Sequence, residues 1–144
     1  MDLFKNYYDD FKETHKNELN IFLHLFTIMC GFFGFISLLP YNYIFGIIYL
    51  APLICCVPKQ VFNNCFLFVS AFIFMSYVYI IDFYQSISLM CFAFMFQEFS
   101  HLLTNEKTMV SNYFCNKDFM KRYLIHTYFL IPLVIKRCLN TSFE

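Results

Sequence analysis

The chain has four histidines, at positions 15, 24, 101 and 126, and imidazole is the side chain best suited to hold a divalent first-row metal such as Zn, Cu, Fe or Ni near neutral pH. Two of them frame the stretch His15-Lys-Asn-Glu-Leu-Asn20-Ile-Phe-Leu-His24, where a charged N-terminal segment gives way to a long apolar run. Steps of four and three residues from Asn20 pick out Asn20, His24, Thr27, Gly31 and Gly34, a polar-to-small stripe along one face of a helix. Within a membrane helix such polar groups are costly unless they pair, so the stripe is expected to face inward and to mark a site.

His101 closes a second constellation. Glu98 stands three residues before it and Gln97 four, so both lie on its side of a helix. Glu-x-x-His occurs in di-iron bundles, but those sites need two such motifs and further glutamates, and this chain has one. Gln97 is a candidate to orient an imidazole, as groups behind metal ligands do. Met90 and Phe94 on the same helix read as packing residues.

Sixty per cent of the 144 residues are hydrophobic, 14% are charged and 22 are Phe. That is more apolar material than one soluble core of this size can hide, so the expected class is an all-α integral membrane protein forming a single domain over residues 1–144. Zero net charge and the absence of a basic patch argue against nucleic-acid binding. The seven cysteines form no Cys-x-x-Cys pair and five lie in apolar runs, which points to packing rather than a zinc or disulfide framework. The first sixteen residues carry Asp2, Asp9, Asp10 and Glu13 without a small-residue cleavage site, so the N-terminus is expected to persist.

Four spans are expected, at 20–39, 43–57, 61–81 and 83–103, with Pro40 and Pro58 as stops, Pro52 as a kink, and 82–85 as a tight turn. Before them, residues 2–15 place Phe4, Tyr8, Phe11 and His15 on one face, the pattern of an amphipathic surface helix. A straight helix would put His15 and His24 on opposite faces, so a break is required, with Asn17 as the N-cap of the next helix. After the spans, the thirteen-residue, mostly apolar run Tyr123–Ile135 is flanked by Lys121-Arg122 and Lys136-Arg137. That is too short to cross, so a C-terminal interfacial or re-entrant helix over 119–137 is expected. Lys and Arg fall on one side only, with none at 40–42 or 82–85, which places both termini in the cytoplasm. The Asn140-Thr-Ser142 sequon then goes unused. This topology gathers all four histidines at one end of a four-helix bundle.

The pattern His15-x4-Asn20-x3-His24, with Gln97-x3-His101 followed by Glu106, resembles the membrane 2-hydroxy fatty acid dioxygenase family, fungal-type enzymes of phytosphingosine degradation. Ser100 stands where family members usually have Gly before the histidine, and Leu25-Phe26-Thr27 where they have a Gly-containing turn. The resemblance implies an Fe(II)-dependent dioxygenase of the endoplasmic reticulum membrane that shortens a 2-hydroxy fatty acid by one carbon, using dioxygen. It implies His15, His24 and His101 as catalytic metal ligands, with Asn20, Gln97 and Glu106 around them; Glu98 is added to that surrounding set by its spacing from His101 alone. His126 joins the ligand set on topology alone. Two other readings stand beside it: a non-enzymatic polytopic protein whose Gly31 and Gly34 pack helices, and a haem protein ligated by His24 and His101.

Overall fold

The computed structural model describes residues 2–108 and 118–141, all of whose regular elements are helices. In chain order they are α1 (Asp2–Thr14), α2 (Glu18–Ser37), α3 (Asn42–Cys56), α4 (Lys59–Val78), α5 (Phe83–Thr104) and α6 (Phe119–Thr141). Cys115, Lys117 and Ser142 of the sequon lie outside the described residues.

α2, α4 and α5 are long and apolar enough to cross a membrane. α3 has 15 residues, about 22 Å at 1.5 Å per residue, short of the ~30 Å hydrocarbon layer. The second of the four expected crossings is therefore the short one, and Pro52 inside it removes one backbone hydrogen bond. The outward faces of the bundle remain apolar, with Phe66, Leu67, Phe74, Phe94 and Met95 all exposed, as befits surfaces whose solvent is lipid.

α2 and α5 form the central antiparallel pair. Asn20 meets Ser100 and His101 at one end, Gly31 faces Ala93 in the middle, and Gly34 lies against Ser86, Leu89 and Met90 at the other. Gly31 and Gly34 permit this approach because any side chain there would strike α5. The inward stripe is as expected, with Asn20, His24, Thr27 and Gly34 buried. α3 and α4 pair likewise through Gly46 against Ile73 and through Asn42 Nδ2 donating to Ser76 Oγ at 2.6 Å. A ladder of rings, Phe32 with Phe68 and Phe72, joins α2 to α4.

Two helix starts are chemically specified. Asn17 caps α2, its side chain accepting from the Leu19 N–H at 2.9 Å. Residues 82–85, expected as a tight turn, instead form the capping box of α5. Asp82 accepts from the Gln85 N–H at 2.8 Å and Gln85 Oε1 from the Asp82 N–H at 3.0 Å.

The flanking helices close one end. α1 buries Phe4, Tyr8 and Phe11, as its amphipathic pattern requires, and Phe4 packs edge-on against Phe129 of α6 at 5.5 Å. The run expected to be a thirteen-residue interfacial segment is part of the 23-residue α6. It lies partly within the bundle, with Phe129, Ile131, Leu133 and Val134 buried. Tyr49 Oη donates to the Tyr128 carbonyl at 3.0 Å and Tyr128 Oη to the Tyr49 carbonyl at 2.9 Å, a reciprocal pair that fastens α6 to α3. Lys136 lies over the Tyr8 ring at 3.9 Å, tying the end of α6 to α1.

Candidate metal centre

α1 ends at Thr14, and the three-residue break before α2 turns His15 back over the bundle. His24 projects from the inward stripe of α2, and His101 from the last turn of α5. The three rings meet. Their centroids are 4.6 Å apart for His15 and His24, and 4.8 Å for each of the other two pairs, with interplanar angles of 73–87°. One ligand nitrogen from each lies within 4.8 Å of the others, and all three residues are buried. This buried cluster can hold a metal ion.

The proton positions follow from the neighbours. His15 Nδ1 lies 3.0 Å from the Phe11 carbonyl, and His24 Nδ1 lies 3.0 Å from the Asn20 carbonyl. A carbonyl only accepts, so each Nδ1 carries the proton and each Nε2 offers a lone pair. Those two Nε2 atoms are 3.1 Å apart. Two lone pairs at that distance repel unless a cation lies between them. With metal–nitrogen bonds of 2.0–2.1 Å, cis ligands are separated by about 2.9 Å at a right angle and about 3.3 Å at the tetrahedral angle. The observed spacing falls between these values. A shared proton is a poor substitute, because burial first, and His24 and His101 next, hold His15 down to about 2, far below the usual imidazole range.

Around the rings stands a second set of contacts. The Phe11 ring stacks on His15 at 3.9 Å and 13°, and Thr14 Oγ1 lies 3.0 Å from His15 Nδ1. Asn20 is fully buried and fully committed: Ser100 Oγ donates to its Oδ1 at 2.7 Å, while its Nδ2 donates to Glu106 Oε2 at 2.5 Å and lies 3.4 Å from His101 Nδ1.

Glu106 joins the two halves of the site. Asn105 takes the left-handed conformation at φ 54°, which ends α5 and turns the chain back. The Glu106 carboxylate then meets the start of α2, where Oε1 accepts from the Lys16 N–H at 2.6 Å and the Asn17 N–H at 2.8 Å. An anion at the free N–H groups and positive dipole end of a helix is favourably placed.

His126 is buried one ring further out, packing on Phe11 at 6.1 Å and Tyr7 at 6.4 Å. Among the described residues the converging ligand group comprises His15, His24 and His101. Burial, and then His101, push His126 down to about 4. Gln97 and Glu98 line a groove of about 250 Å³ between α2, α5 and α6, which also touches Thr27 and Tyr123; the Glu98 carboxyl bonds to Thr108.

Sequence reasoning did not single out Thr14, Ser100 as a hydrogen-bond donor, or Phe11 as a ring-stacking partner. Phe11 had a readable signal, being four residues before His15 on the same helix face. In the sequence Ser100 stands out only as a departure from Gly. Its hydroxyl meets Asn20 across the helix pair, a contact that local spacing does not encode.

Searches for similarity returned no matching family model, no matching curated protein and no matching solved structure.

Proposed function

We propose that this chain is an Fe(II)-dependent dioxygenase that shortens 2-hydroxy fatty acids by one carbon, resembling the membrane enzymes of phytosphingosine degradation. The observation that carries the reading is the facing pair of Nε2 lone pairs on His15 and His24, with His101 completing a buried three-nitrogen face. Three neutral imidazoles leave a bound dication its full charge, which suits an anionic ligand. Three such ligands would leave room for a substrate anion and dioxygen on a bound ion.

Each chain residue has a definable task. The Phe11 and Asn20 carbonyls fix the His15 and His24 tautomers, and hydrogen bonds behind the ligands tune and orient them. Glu106 and Asn20 lock the His15 segment and α2 to α5. α1 and α6 cover the centre and keep bulk water from it. The iron, when bound, supplies activation of dioxygen and chelation of the substrate's carboxylate and hydroxyl. The overall reaction balances as one 2-hydroxy acid plus one O₂ giving the acid shortened by one carbon, one CO₂ and one water. The one-sided Lys and Arg distribution supports an endoplasmic reticulum orientation with both termini cytoplasmic.

The haem alternative is less well supported. The His24 and His101 rings are 4.8 Å apart and His15 lies against both, which leaves no slot for a flat macrocycle. The non-enzymatic reading accounts for Gly31 and Gly34 but gives no reason to bury facing lone pairs.

The test is purification in detergent, metal analysis, and an oxygen-dependent assay on 2-hydroxypalmitate. Near-stoichiometric iron without a Soret band and formation of the fifteen-carbon acid are expected, both lost in His24→Ala. Full metal content and turnover in that variant would overturn the proposal.

A further inference from the structure

The groove between α2, α5 and α6 has a direction. On α2 its lining runs from Thr27 to Phe35, eight residues or about 12 Å along the axis. Thr27 belongs to the histidine end, its Oγ1 donating to the His24 carbonyl at 3.0 Å. Gln97, on the opposite wall, is one turn before His101. Beyond them the walls are apolar: Gly31, Ala93, Leu130 and finally Phe35, which is held edge-on against Phe45 at 4.9 Å. One end of the groove is polar and lies within a helical turn of His24 and His101, and the rest is hydrocarbon-like.

The two carboxamides near the centre differ in availability. Asn20 is fully buried and its oxygen and nitrogen are taken by Ser100 and Glu106, so it has nothing to offer a ligand. Gln97 is half-buried in the groove wall, and among the described residues its side-chain amide makes no hydrogen bond. Glu98 beside it is bonded to Thr108 and would repel an anion. A donor with no partner among the described residues, at the junction of a polar head region and an apolar channel, is a group placed for a ligand.

We infer that the groove takes one single-chain amphiphile, its tail toward Phe35, and that Gln97 Nε2 donates to the carboxylate of its head. Gln97 is thereby the residue that selects an acid over an uncharged lipid of equal length. The inference relies on the preceding reading only for the direction in which the head points.

The test uses metal-free protein in nanodiscs, with doxyl-labelled stearate and its methyl ester as probes and paramagnetic resonance to count the immobilised fraction. The wild type is expected to hold stearate at least fivefold more tightly than the ester. Gln97→Leu should bring that ratio close to one while both probes still bind. Thr127→Trp, which fills the groove from the exposed side of α6, should abolish immobilisation of both. An unchanged acid-to-ester ratio in Gln97→Leu would overturn the role of Gln97. Undiminished binding in Thr127→Trp, or a labelled phospholipid immobilised in place of stearate, would overturn the groove as the acid's site. Iron content, measured separately on protein never stripped of metal, is expected to match wild type in both variants; its absence from wild type would sink the dioxygenase reading and leave this one standing.

Discussion

Nε2 of His15 and Nε2 of His24 face each other at 3.1 Å, each with its proton drawn to a backbone carbonyl behind its own ring. The two residues belong to different structural units, one to the loop after a covering helix and the other to a long apolar helix of the bundle. Whatever cation joins them therefore also fastens the cover to the bundle.

Metal loading is accordingly expected to stabilise the fold, since a ligand that binds only the native state adds about 2.7 kcal/mol at a hundredfold excess over its Kd. Chelator treatment should lower the thermal midpoint and open the 14–17 segment to protease. Substituting His15, His24 or His101 by Ala should remove that metal-dependent increment in each case, as read by scanning calorimetry with and without added Fe(II). An increment retained in any one variant would remove that residue from the ligand set.

The metal-free protein should lose stability as pH falls. His15 is held down to about 2 and His126 to about 4, in both cases chiefly by burial, whereas an unfolded histidine titrates near 6.5. Below pH 6.5 the unfolded chain therefore binds protons that the native state refuses, and the equilibrium shifts toward unfolding. Their contribution is fully present above about pH 7. It declines by roughly 1.4 kcal/mol per pH unit for each of the two groups down to pH 4, and of this pair His15 alone continues to contribute below that. Denaturation midpoints between pH 4 and 8 test this, with His126→Asn expected to reduce the slope by about one proton.

Glu106 accepts four hydrogen bonds, from the N–H groups of Lys16 and Asn17, from Asn20 Nδ2 and, at 3.4 Å, from Thr104 Oγ1. Glu106→Ala should strip the anion from the start of α2 and release Asn20, lowering metal affinity by about ten- to a hundredfold, the usual effect of losing a partner behind a ligand. Glu106→Gln keeps an acceptor for Lys16 and Asn17 but presents an NH₂ to the NH₂ of Asn20, so an intermediate loss is expected. Metal titration of the two variants decides the matter: equal losses would mean that the contacts to the Lys16 and Asn17 N–H groups contribute nothing, and no loss in Glu106→Gln would mean the same of the Asn20 contact.

Much of this arrangement was legible in the chain because helical periodicity is a local signal. The inward stripe from Asn20 to Gly34, the buried face of α1 and the break capped by Asn17 all follow from spacing within ten or so residues. The convergence of His15, His24 and His101 was inferable from topology, since two spanning helices and one covering segment end at the same level. What spacing could not carry was contact across elements. Ser100 meeting Asn20, and Glu106 meeting the N–H groups of residues 16 and 17, depend on the register of α2 against α5, which Gly31 and Gly34 set by close approach. The depth to which α6 enters the bundle escaped for a related reason. Its basic flanks mark an interface, but the buried faces of Phe129, Leu133 and Val134 answer to partners on α1, α2 and α4.

The three glycines provide a graded test of that register. In the interior of a helix Gly→Ala is intrinsically favourable by about 1 kcal/mol, so any loss measures the space denied. A Cβ at Gly34 would lie 2.7 Å from the backbone oxygen of Ser86, which cannot move without α5. One at Gly31 would meet the Ala93 Cβ at 3.0 Å, and one at Gly46 the Ile73 Cδ1 at 2.6 Å, the far end of a side chain that can rotate away. Gly34→Ala is therefore expected to be the most destabilising, by about 1–3 kcal/mol as overpacking usually costs. Gly31→Ala should be milder, and Gly46→Ala near neutral. Because the α2 and α5 register also sets the histidine geometry, Gly34→Ala should weaken metal binding although it lies ten residues from His24, while Gly46→Ala should not. Unfolding of the three variants in mixed micelles, followed by metal titration, checks both orders. A Gly34→Ala protein as stable and as metal-competent as wild type would show that α2 and α5 do not pack in this register.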